Sequence, residues 1–192
     1  MRTVIASIII AALLVLLGGF AVIYSGFYNV AASDPHWPVT RWVLETARVR
    51  SIKTHAAGIG EPPGFDDPAK VLIGVEHYAA HCAVCHGAPG VPKGDIARGL
   101  NPSPPDLAKA SQLYSPAELF WTVKHGIKMT GMPAWSDHSD EELWATVGFL
   151  EKLPGMSEED YAKLVMASMA NGGHRHNGGS NDHDSAQPDH TR

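Results

Sequence analysis

The amino-acid sequence predicts an all-α fold, a small helical domain carried behind one long apolar helix. Three observations predict it. Between Asp67 and Pro154 no run alternates apolar β-branched with polar residues, the pattern a half-buried strand requires. Helix-start signatures, a capping residue followed by Pro or by Glu three positions on, recur along the same stretch. Finally, Val4 to Tyr24 runs for 21 residues without a charge, and about 20 apolar residues cross the hydrocarbon core of a bilayer as a helix.

Residues 1–28 are expected to form a transmembrane anchor. A cleavable signal peptide is the alternative, with Ala31, Ala32 and Ser33 as a weak cleavage site. Its apolar core is ordinarily only about 7 to 15 residues, so the length favours retention. Residues 29–66 are expected to hold a juxtamembrane helix, capped by Thr40, and then a linker. Trp37 and Trp42 suit lipid headgroups and Arg41, Arg48, Arg50 and Lys53 suit phosphate or water, although a plain solvent-exposed connecting helix fits the same residues. Gly58 to Pro68 contains three prolines and three glycines, which marks a domain boundary.

The globular domain is placed at residues 67–155. Its first helix starts at Asp67 and Pro68 and runs straight into Cys82. Gly87 to Leu107 is rich in Gly and Pro and reads as a long loop, which in so small a domain needs a prosthetic group to pack on. A second helix has Ser115, Pro116 and Glu118 at its start and Gly126 as its stop. A third has Ser139 and Glu142 as a capping box, with Pro154 beyond its end. Residues 156–170 are expected to add a short helix from Ser157 to Met169. Residues 171–192, with almost no apolar side chains, are expected to be a disordered His-rich tail.

With 192 residues, 44% of them hydrophobic, the chain suits one domain with appendages. Twenty acidic against 15 basic side chains, a net charge of -5, argue against nucleic acid as a partner. The only cysteines, Cys82 and Cys85, are two residues apart, which is not the spacing of a disulfide framework.

Those cysteines belong to Cys82-Ala83-Val84-Cys85-His86, a C-x-x-C-H motif. Thiols one helical turn apart add across the two vinyl groups of haem, and the adjacent imidazole reaches the iron. A thioredoxin-like pair would want a βαβ setting, and half of a zinc site would want further ligands at zinc spacing; neither surrounds this motif. A thioether opposite the histidine raises a cytochrome's potential, and Met129 and Met132 are both candidates for it, with core filling as the alternative role.

On these residues, 67 to 154 resemble the class I c-type cytochromes, small all-α domains with an N-terminal C-x-x-C-H and a C-terminal methionine ligand. The resemblance implies one covalently bound haem c, with Cys82, Cys85, His86, Met132 and Pro105 as its binding residues. Met132 is preferred because Gly131-Met132-Pro133 is similar to the family's methionine turn. Pro105 stands where the family's proline carbonyl accepts the second imidazole N–H. Gly74 and Tyr78 would cross the last helix closely, with Trp144 and Gly148 facing them.

The resemblance further implies an electron carrier rather than an enzyme, held at the inner (cytoplasmic) membrane with its haem domain in the periplasm. It extends to cytochrome subunits of oxidase and alcohol dehydrogenase complexes. A quinol-oxidising complex, a terminal oxidase or a periplasmic dehydrogenase are the expected redox partners. A haem peroxidase or a gas or redox sensor with a labile Met132 is a second reading. A third is a copper-handling haem protein using His174, His176, His183 and His190, beside Asp182, Asp184 and Asp189, as a transition-metal site. His77, His81, His125 and His138 read as surface or capping residues, and His125 with Lys124 and Lys128 as a weak basic docking rim.

Overall fold

The computed structural model describes residues 1–170; the expectations for the tail fall outside them. Its first helix, α1 (Arg2–Ser25), buries none of its side chains against the rest of the chain. At 24 residues and about 1.5 Å per residue it is roughly 36 Å long, enough to cross a bilayer core, and a signal sequence would pass the same test. Gly26, in the left-handed region at φ 67°, ends it. Trp37 then packs edge-on against both Phe27 and Tyr28.

Helix α2 (Pro38–Ala56) begins two residues before the expected cap: Trp37 is the capping residue, Pro38 opens the helix, and Thr40 lies inside it. Proline is suited to the first helical position, since its missing N–H would have found no partner there. Only Ile52 and Ala56 of α2 are buried. The last turn of α2 lies against α7 (Pro116–His125), where the His55 ring stacks on Trp121 at 5.4 Å.

The core is built from α3 (Pro68–His77), α7, α8 (Asp140–Lys152) and α9 (Glu158–Ala170). Val71, Val75 and Tyr78 from the α3 end meet Leu119, Phe120 and Val123 of α7 and the unbroken buried run Leu143–Leu150 of α8. Tyr161 of α9 closes one side. Phe120 and Trp144 stack with centroids 4.4 Å apart and planes 10° from parallel. Both predicted capping boxes form: Ser115 with Glu118, and Ser139 with Glu142. Among the described residues there are no strands, only an isolated bridge between Ala88 and Val91.

Three local expectations are corrected. The first helix does not run uniformly into Cys82: Tyr78–Cys82 forms a π-helical turn, after which α4 (Ala83–His86) resumes. The 87–107 loop contains a helical turn, α5 (Asp95–Arg98), and leads into α6 (Leu107–Ala110). The helix crossing also has different partners. A Cβ on Gly74 would overlap the Ala145 carbonyl, so Gly74 sits on the Ala145–Thr146 backbone. Tyr78 packs on Phe149, with ring centroids 5.0 Å apart. Trp144 faces Phe120 and Phe65, and a Cβ on Gly148 would lie 2.5 Å from the Phe65 carbonyl oxygen.

Gly74→Ala tests the crossing. Alanine gains roughly 1 kcal/mol of helix propensity over glycine, whereas overpacking a rigid backbone contact costs about 1–3 kcal/mol. The steric cost is expected to win, lowering the midpoint of denaturant unfolding.

Candidate functional site

The C-x-x-C-H segment is held at both ends. The π turn closes with the Ala83 N–H donating to the Tyr78 carbonyl. A π turn inserts an extra residue into a helix and so rotates the next turn about the axis. It leaves Cys82 buried and Cys85 and His86 half-buried. The Tyr78 hydroxyl donates to the Gly87 carbonyl at 2.6 Å, and the Gly87 N–H donates to Ala83 O at 2.8 Å. On the outer side the Gly94 N–H donates to Val84 O at 2.9 Å, an approach that a Cβ on Gly94 would obstruct.

His86 Nδ1 lies 2.9 Å from the carbonyl oxygen of Pro105. A carbonyl only accepts, so the proton is on Nδ1 and the lone pair is on Nε2, the tautomer that can bind a metal through Nε2. Burial holds the imidazole below the usual histidine range. The Pro105 contact works in the opposite direction, and the nearby Lys93 charge adds to the lowering. The Lys93 ammonium donates to the Pro104 carbonyl, one residue from the acceptor of His86.

Burial pushes the Cys82 thiol up to about 12, with Cys85 contributing further. A thiol so shifted is protonated at neutral pH and lacks the depressed pKa of a thioredoxin-type nucleophile. The described residues around it also lack the strands that reading requires.

Met132 stands on a separate turn. Gly126 ends α7 at φ 63°, and a Cβ there would lie 2.6 Å from the Pro133 carbonyl carbon. This close approach lets Ile127 N–H donate to Met132 O at 3.2 Å and Trp135 N–H donate to Lys124 O at 3.1 Å. Thr130 braces the turn from inside, donating to Ile127 O and accepting from Met132 N–H. Met132 is half-buried, whereas Met129 is 79% exposed with φ 58°. A cleft of about 910 Å³ lies between α2 and the segment that follows α7; Ser103, Met129 and Thr130 line it, and Cys82, Cys85, His86, Pro105 and Met132 do not.

Other expectations fare differently. Lys124 is paired with Asp140 at 2.6 Å, which neutralises one charge of the supposed docking rim. His77 is not a surface residue but 3% exposed, in contact with His81 and His138. Its spacing of four from His81 is visible in the sequence; the third ring, 61 residues away, is not.

Two thiols on one helical turn, an imidazole of fixed tautomer and a braced methionine turn in an all-helical domain suit the binding of haem, and together define a c-type cytochrome domain. Residues 69–150 match the family described as cytochrome c oxidase, cbb3-type, subunit III. The chain thus carries a domain of the class I c-type cytochrome family, whose chemistry is haem-based electron transfer; α1 and α2 lie outside the match.

Gly126→Ala should strain the methionine turn through both φ and contact, costing about 1–3 kcal/mol in chemical denaturation. Gly99→Ala is the control: its φ is -89° and the new Cβ would meet its nearest neighbour at an ordinary 3.6 Å, so little change is expected.

Proposed function

We propose that this chain is a membrane-anchored electron carrier with one haem c. Cys82 and Cys85 would hold the haem through thioethers, each formed by adding S–H across a vinyl group with no atom lost, and His86 and Met132 would be its iron ligands. The observation that carries this reading is the His86 to Pro105 contact, because it presents an Nε2 lone pair one residue from a vicinal thiol pair. Bound there, haem c supplies one-electron exchange at its iron.

The chain's own part is positional. The π turn and Tyr78 hold the thiols, Pro105 orients the imidazole, and the turn closed by Gly126 presents the Met132 sulfur. Were His86 and Met132 both to bind the iron, peroxide or a gas would have to displace one of them, which favours carrier over peroxidase or sensor.

In this reading residues 1–28 are the anchor, 29–66 the juxtamembrane helix and linker, 67–155 the haem domain and 156–170 an added C-terminal helix. Because haem is attached outside the cytoplasm in this family, the domain lies on the periplasmic face of the inner membrane. A quinol-oxidising complex, a terminal oxidase and a periplasmic dehydrogenase are all chemically suitable partners. The matched family's description as an oxidase subunit favours the terminal oxidase.

Optical spectra of the oxidised protein test the ligand set. The methionine-to-iron charge-transfer band should be present in wild type and in Met129→Ala and absent in Met132→Ala; a wild type without the band overturns His/Met ligation. The anchor is tested by the mass of the chain purified from membranes. An intact N-terminus including Arg2 to Ser25 is expected, and a mature chain beginning near Asp34 would show instead that the apolar helix is a cleaved signal.

A further inference from the structure

Three histidines converge on the side of the domain where α3 passes into the π turn. His77 ends α3, His81 stands one turn later inside Tyr78–Cys82, and His138 immediately precedes Ser139, the capping residue of α8. Their ring centroids are 4.7 Å apart for His77 and His81, 4.7 Å for His77 and His138, and 5.4 Å for His81 and His138. One ligand-capable nitrogen from each lies within 4.8 Å of the others. His77 Nε2 and His138 Nδ1 lie 3.1 Å apart.

Thr146 sets which nitrogen of His77 carries the proton. Fully buried on α8, its hydroxyl donates to the Glu142 carbonyl at 2.9 Å and lies 3.1 Å from His77 Nδ1. With its one proton given to Glu142 O, the hydroxyl accepts from His77 Nδ1–H. The Nε2 lone pair of His77 therefore faces His138. An imidazole oriented through its other ring nitrogen by a buried oxygen is the usual arrangement behind a metal-bound histidine. Trp135 adds an apolar wall, with ring centroids 5.7, 4.9 and 5.2 Å from His77, His81 and His138.

We propose that His77, His81 and His138 form a three-imidazole site for a divalent transition-metal ion of the zinc and copper class, distinct from the haem iron. Imidazole-only donor sets suit these ions and not magnesium or calcium. In a tetrahedral zinc site with bonds of about 2.0–2.1 Å, ligand nitrogens are roughly 3.3–3.4 Å apart. The 3.1 Å pair is already close to that separation, and the remaining separations, within 4.8 Å, would close by up to about 1.4 Å on binding. His81 and His138 are only half-buried, which leaves a direction for water as the fourth ligand. A bound ion would join the residue before Cys82 to the start of α8, tying the thioether-bearing turn to the segment that comes after the methionine turn.

The test is a calorimetric titration of the haem-loaded, full-length protein with Zn²⁺. His174, His176, His183 and His190 are replaced by asparagine, so that the tail contributes no imidazole. One equivalent should bind with a dissociation constant below about 1 μM. His81→Asn and His138→Asn, each checked for an unchanged haem spectrum, should weaken binding by at least about 100-fold. Thr146→Val, which leaves all three imidazoles in place, should weaken it by about 10- to 100-fold. Co²⁺ in the parent should show the intense visible bands of a four-coordinate ion, lost in His138→Asn. No Zn²⁺ binding tighter than millimolar in the parent, or undiminished binding in the two histidine variants, overturns the proposal.

Discussion

The close crossing of α3 over α8 at Gly74 is the constraint on which the rest of the domain depends. Because Gly74 has no side chain, the two backbones meet at Ala145, and everything at the C-terminal end of α3 is placed relative to α8. Tyr78 then lands on Phe149 and its hydroxyl reaches Gly87. Burial raises that phenol's pKa, so it remains a donor at any ordinary pH. The end of α4 is thereby fixed, and with it the imidazole that meets Pro105. The C-x-x-C-H turn is short and would fray alone; its geometry comes from the core behind it.

The same burial sets the chemistry. Around Cys82 and His86 the protein favours uncharged forms, and it does so mainly by desolvation. A protonated thiol and a neutral imidazole are the forms that burial favours there. Charge is kept at the periphery, in exposed or partly exposed pairs such as Lys152 with Asp66 and Lys163 with Glu159. Such pairs contribute little to stability individually.

Much of this is legible in the sequence. Capping boxes are local, involving a side chain and a backbone N–H three residues apart, and both at Ser115 and Ser139 are readable as they form. The C-x-x-C-H motif is equally local. The features that escape a reading of the sequence are relational. The π turn preserves the hydrophobic pattern on either side of it, so no change of residue type announces it. Thr40 offers a side-chain cap and so outweighs Pro38 as a helix start, yet Trp37 caps without one. The partners of Gly74 and Tyr78 lie one position from those expected, Ala145 and Phe149 in place of Trp144 and Gly148, because which face of α8 turns inward cannot be read from a helix buried on nearly every side. The gathering of His77, His81 and His138 depends on that same packing.

Helix α2 changes what tethering would mean for this domain. A flexible leash lets a carrier sample many heights and orientations above a bilayer, and its partners meet a blurred target. Here the 19-residue α2, roughly 28 Å long, is pinned to α7 through Ile52, Ala56 and the His55–Trp121 stack. Asn101 also reaches back to the Asp34 carbonyl at 2.7 Å. With α1 in a bilayer, this arm behaves as a strut: it sets a standoff and narrows the domain's tilt. A redox partner embedded in the same bilayer would then meet the domain through sideways diffusion at nearly constant elevation, and the distance over which an electron must jump would be fixed more by architecture than by chance encounter.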